Sequence, residues 1–249
     1  MAVAQKTRYR WLDLLRGAAV VNMVAFHFCY DWFEVFARLP GWYFLWPSRL
    51  WQQAICCTFI LASGFSTCLG RRALRHGLIL NLCGFGVSAV TLLALPGEAV
   101  RFGVLNLLGC GALLVWALRP ALEKLPAAAG LGGTLFLFAL TRHLPEGSLG
   151  LFGLWRQPLP AGLYRWNALA FLGLPGPTFS SSDYFPLAPW SFLFLAGWFI
   201  CRLVRPRLEG FLPRLAFPPL EWAGRHSLAV YLVHQPVCMA VCWLLALVL

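Results

Sequence analysis

Seven blocks of nearly continuous apolar sequence, at roughly 11–37, 50–70, 77–95, 102–119, 126–141, 187–204 and 226–248, decide what this chain can fold into. A bilayer core about 30 Å thick asks for about 17–25 apolar residues in each helix that crosses it. These blocks approach that length and lack the one-sided apolar stripe of a soluble helix. The expected fold is therefore all-α: a polytopic bundle of about seven transmembrane helices, forming a single domain over residues 1–249. The fifth block is the shortest and carries Gly130, Gly132 and Gly133.

Composition agrees where it bears on the argument. Only 12% of the 249 residues are charged, against about 25% in a soluble domain. The net charge of +11 is no nucleic-acid footprint, because Lys and Arg sit at block ends rather than on a basic helix face. In a membrane protein such charges set orientation and meet anionic headgroups, so membrane lipids are the expected surroundings. The nine cysteines are scattered through apolar sequence without a CxxC pair, which reads as small buried hydrophobes and implies no metal. The polar start and the Asp13 and Arg16 inside the first block argue for a retained helix rather than a cleaved signal.

Basic residues also set an orientation. With the N-terminus in the cytoplasm, the inner side collects Lys6, Arg8, Arg10, Arg71, Arg72, Arg75, Arg119, Lys124, Arg202, Arg205, Arg207, Arg214 and Arg225. The outer side holds the smaller set of Arg38, Arg49, Arg101, Arg142, Arg156 and Arg165. This asymmetry places the N-terminus in the cytoplasm. The Pro- and Gly-rich connection over about 142–186 carries an apolar patch, Asn167–Leu174, too short to span, which suits a re-entrant or interfacial piece.

The first block is unusual in carrying four ionisable residues. At about 100° per residue, Asp13, Arg16, His27 and Asp31 fall within about 60° of one another, while Asn22 lies on the opposite side. Charged groups in a spanning helix normally pair, face a cavity or serve function. Asp13 and Arg16 are placed to pair at the inner end, and His27 and Asp31, four residues apart, to meet near the outer end. The two pairs are separated by roughly 21 Å along the axis. A carboxylate beside an imidazole can orient a general base, and the same imidazole can accept an acyl group as a nucleophile. An ion pair that only holds helices together, a packed core histidine or a proton relay remain open alternatives.

The last block supplies a second polar set. Ser227, Tyr231 and His234 recur on one face, with Gln235 a little further round and Pro236 expected to interrupt the helix. Interhelical hydrogen bonding accounts for such residues as well as a cavity does. Ser63, Gly64, Ser66 and Thr67 in the second block suit close helix packing. Asp183, just before the sixth block, is placed to face an acceptor on the outer side.

Leu12–Asp31 (LDLLRGAAVVNMVAFHFCYD), Ala62–Arg72 (ASGFSTCLGRR), Arg101–Gly109 (RFGVLNLLG), Ser182–Trp190 (SDYFPLAPW) and Gly224–Val237 (GRHSLAVYLVHQPV) occur in this order along nearly the whole chain. Together they resemble the heparan-alpha-glucosaminide N-acetyltransferase catalytic-domain family, particularly its short bacterial members. The resemblance implies a multi-helix acyltransferase that takes acetyl groups from cytoplasmic acetyl-CoA and passes them to an amino sugar across the bilayer, with a membrane histidine at its centre. By position in the motif that role goes to His27, with Asp31 as its partner and Arg16 at the CoA-facing end. The O-acyltransferases that decorate bacterial polysaccharides open with a similar LD..RG..H pattern, so N- and O-acylation both stay open.

The expected function is transfer of an acetyl (acyl) group from acetyl-CoA to an amine or hydroxyl of a glycan or glycolipid. His27 and Asp31 are the catalytic candidates. Arg16, Arg71, Arg72 and Arg225 are candidates for the CoA phosphates. Asp13, Asp183, Tyr231 and His234 are candidates for lining the passage. The alternative is a proton-coupled transporter or lipid carrier with His27, Asp31 and His234 as its relay. The retained first helix and the composition suit a bacterial inner membrane, and homo-oligomerisation is compatible with the pattern.

Overall fold

All seven apolar blocks are helical in the computed structural model, which describes residues 9–151, 153–207 and 217–248. The basic residues Lys6, Arg8 and Arg214 lie outside the described residues. Helix α1 is Arg10–Tyr30, and a π-helical turn over Asp31–Val35 continues it. The remaining helices are α2 (Trp46–Leu69), α3 (Ala73–Ala94), α4 (Val104–Lys124), α5 (Ala127–Leu140), α6 (Leu187–Val204), the short α7 (Pro218–Arg225) and α8 (Ser227–Val248).

Six of these are long and apolar enough to cross a membrane. Helix α5 has 14 residues and reaches only about 21 Å at the α-helical rise, short of a bilayer core. Along α3, Leu78, Leu82, Phe85, Val90 and Leu93 are all exposed. A continuous apolar face of that kind is stable against lipid and not against water.

The chain forms two compact units. One runs through Ala62 and resumes at Arg207, and the other is Ser63–Pro206. In the first unit, α1 packs on α7 and α8. Val20, Met23, Phe26, Ile55 and Ala223 form its core, flanked by Trp42, Trp51, Phe59 and Tyr231. Two glycines set the α1–α7 distance. A Cβ on Gly17 would strike the Leu220 carbonyl, and one on Gly224 would strike the Asp13 carbonyl. The backbones touch there because neither position has a side chain, the usual device for close approach between helices in a membrane.

The same crossing is pinned by charge. Arg10 donates to both carboxylate oxygens of Glu221, at 2.9 and 3.2 Å. This guanidinium, by hydrogen bonding and then by its charge, holds the Glu221 carboxyl below the usual carboxylate range. A carboxylate depressed in the folded state adds stability above its unfolded pKa and loses it as pH falls through the folded one. Melting curves in detergent should therefore show wild type above Glu221→Gln at neutral pH. The gap should close as pH drops below about 4.

The second unit pairs α3 with α4 and α5 with α6. Gly77 meets the Gly109 carbonyl and the Leu113 side chain, and Gly64 meets the Phe194 carbonyl. Arg202 of α6 donates to the carbonyls of Leu122 and Leu125, both at 2.8 Å, and of Glu123 at 3.0 Å. It thereby satisfies the carbonyls that the end of α4 would otherwise leave unbonded.

The 142–186 connection is not purely helical. It contains a hairpin of β1 (Ser148–Leu151) and β2 (Trp155–Pro158), antiparallel with Ser148 opposite Pro158. Arg156 fastens it by donating to Ser148 at 2.7 Å and to Glu146 at 3.1 Å. The apolar patch forms a 3-10 segment, Asn167–Leu172.

Candidate functional site

Helices α1 and α8 bring the two interior histidines together. The His27 and His234 rings lie edge to face, with centroids 4.6 Å apart. His27 is half-buried, whereas His234 is 8% exposed. Helix α8 holds the His234 ring by a 2.5 Å hydrogen bond between Nδ1 and the Tyr231 carbonyl. A carbonyl can only accept, so in the neutral ring the proton sits on Nδ1 and Nε2 carries the lone pair. Nε2 is buried and has no hydrogen-bond partner among the described residues. The Tyr231 ring packs 5.4 Å from His234, so Tyr231 belongs to the same cluster.

Asp31 completes it from the start of the π-helical turn, a rare form of helix often found at functional sites. Its side chain is fully buried. Oδ1 accepts from Gln235 Nε2 at 2.8 Å, while Oδ2 has no hydrogen-bond partner among the described residues. Four-residue spacing anticipates a direct His27–Asp31 contact. Gln235 stands at that place instead, bonded to Asp31 and lying beside His27. The helical wheel gives Gln235 little weight, because it follows His234 by one position, about 100° away; the packing of α1 on α8 brings Asp31 to it.

Pro236 does not interrupt α8, which is helical from Ser227 to Val248. Such a proline is tolerated in lipid where neighbours satisfy the carbonyl it frees. Below it, Cys238 and Cys242 donate to the Val24 and Phe28 carbonyls at 3.7 and 3.9 Å. These thiols act as small, adaptable packing groups between α8 and α1.

Of the other candidates, Asp13 lies where α1 crosses α7, and Arg225 follows Gly224 at the same crossing. Asp13 is buried and Arg16 half-buried at the opposite end of α1 from His27. Asn22 is exposed, as the wheel places it, and accepts from Trp51 at 3.1 Å. Arg225 is exposed at the end of α7, and Arg71 and Arg72, in the second unit, are exposed just beyond α2. Asp183 caps α4: its Oδ2 accepts from the Val104 N–H at 3.1 Å, against Gly103. Among the described residues, no group of three or more His, Cys, Asp or Glu is placed to hold a metal ion. A cleft of about 520 Å³ in the second unit is lined by Pro145, Pro175, Phe179, Ser180 and Tyr184. Tyr184 is committed to the Ala170 carbonyl at 2.6 Å, and burial pushes its hydroxyl up from the ordinary tyrosine range. The His27–His234 pair and Asp31 all lie in the first unit.

Six helices long and apolar enough to span define a polytopic integral membrane protein, with His27, His234 and Asp31 placed between α1 and α8. The chain belongs to the heparan-alpha-glucosaminide N-acetyltransferase catalytic family, whose model matches residues 8–236. That makes it a membrane acetyltransferase by family, and the match includes His27, Asp31, His234 and Gln235. A search of the curated proteins finds no match, and a search of the solved structures finds none.

Proposed function

We propose that this chain transfers an acetyl group from cytoplasmic acetyl-CoA to an amine of a glycan or glycolipid, with His27 as the base. The observation that carries the reading is the face of His27 against His234 beside a buried Asp31, inside a chain of this family. The amine attacks the thioester carbonyl, so that a C–N bond forms and the C–S bond breaks. His27 takes the amine proton, and the CoA thiolate is then reprotonated. Asp31 acts as the acidic partner of His27, and Tyr231 and His234 line the passage.

An amine fits better than a hydroxyl. Asp31 Oδ2 and His234 Nε2 are buried acceptors without partners among the described residues, and leaving such groups unpaired costs about 1–3 kcal/mol each. The neutral amine that attacks brings two N–H donors, a hydroxyl only one. Arg16 and Arg225 are the cations proposed for the CoA phosphates. Asp13 would steady Arg16, and Asp183 would serve the acceptor side only through the loop it fixes on α4. An N-terminus on the cytoplasmic side of a bacterial inner membrane puts Arg16 where CoA is available.

The test supplies purified protein with acetyl-CoA labelled in the acetyl group and with glucosamine or glucose as probe acceptors. Label should move to the glucosamine nitrogen. Transfer to glucose hydroxyls alone would overturn the amine assignment.

A further inference from the structure

We propose that Gln235 is a positioning residue, which relays the fixed polarity of Asp31 to His27 and so decides which ring nitrogen acts as the base. The proposal rests on the acyltransfer reading for its catalytic consequence, but not for its geometry. Asp31 is a carboxylate that accepts, and the 2.8 Å contact is made by Nε2 of Gln235. An amide bonded in this sense has only its carbonyl oxygen left for the other side. Gln235 Oε1 is buried and has no hydrogen-bond partner among the described residues, and the ring beside it is His27.

Because Oε1 is an acceptor, it can engage only a ring N–H of neutral His27. The other nitrogen then carries the lone pair that receives the acceptor's proton. The chain Asp31–Gln235–His27 performs the tautomer-setting task that an orienting carboxylate performs in serine hydrolase triads, with an amide inserted. His234, whose tautomer is set separately by the Tyr231 carbonyl, stands on the adjoining side.

Reversing the polarity of the chain tests this directly. In Asp31→Asn the new amide can donate, so Gln235 is free to flip and offer N–H to His27. The favoured tautomer should invert, and turnover should fall by up to about 10⁴-fold, as when the orienting carboxylate of a triad is made an amide. In the double variant Asp31→Asn with Gln235→Glu, the introduced asparagine donates to the introduced carboxylate, whose second oxygen again accepts from His27. The wild-type tautomer and most of the turnover should return.

The tautomer is read by 15N NMR of histidine-labelled protein in detergent, with His27 assigned by its absence in His27→Gln. Turnover is read as CoA released from acetyl-CoA in the presence of glucosamine. An unchanged His27 tautomer in Asp31→Asn, or a double variant no better than the single one, overturns the role of Gln235. Tautomers that follow the chain while no form, wild type included, releases CoA would leave the positioning role standing and remove the acyltransfer reading.

Discussion

Replacing His27 by alanine is expected to abolish acetyl transfer while leaving acetyl-CoA binding close to wild type. Removing a general base costs about 10²–10⁴-fold in rate. The proposed phosphate-binding Arg16 lies eleven residues earlier on the same helix, roughly 17 Å away along the axis. A lesion at His27 should not reach it. His27→Gln is the companion variant, because it keeps more of the volume packed against Phe26 and His234. Both variants should melt near the wild-type temperature and both should lack transfer. Retained transfer in either one would move the base elsewhere, and His234 Nε2 is the nearest candidate.

The second large effect lies at the crossing of α1 and α7. Gly224→Val places a branched side chain where the Asp13 carbonyl already stands. The obstacle is backbone and cannot swing aside, so the helices must separate. Overpacking usually costs about 1–3 kcal/mol, more when nothing can yield, and Gly224→Val belongs at or above the top of that range. Separation would also move Glu221 from Arg10. Gly132→Ala is the control: a Cβ there meets nothing within 4 Å, and alanine favours a helix by about 1 kcal/mol over glycine. The first variant should melt far below wild type and the second at or above it. Equal melting temperatures would mean that α1 and α7 are not held as closely as described.

Hydrophobic block length was enough to place every long helix, because the lipid requirement acts on each segment by itself. The fifth block, bounded by Arg142, already stands out as the shortest, and α5 within it has 14 residues and falls short of a full span. The hairpin at Ser148–Pro158 was hidden: it depends on Arg156 reaching Ser148 and Glu146, contacts that no periodicity records.

The site was legible in the same partial way. The wheel brings His27 and Asp31 onto one face of α1, and Tyr231 and His234 onto one face of α8, but a wheel treats one helix at a time. Which faces meet is decided by the packing of α1 on α7 and α8. That packing joins Asp31 to Gln235 across 204 positions of sequence. Asp183, a loop carboxylate in sequence, bonds in the fold to the first turn of α4, a stabilising place for a carboxylate.

The most direct test of the central claim is the binding of acetyl-CoA to purified, folded protein in detergent, followed by calorimetry for wild type, Arg16→Ala and His27→Ala. The account predicts saturable binding by wild type, binding kept in His27→Ala, and binding weakened by about 10-fold or more in Arg16→Ala, as for loss of a charge-assisted hydrogen bond. Folded wild type that does not bind acetyl-CoA would contradict it, and would leave His27, Asp31 and His234 to the rival reading of a proton relay in a carrier.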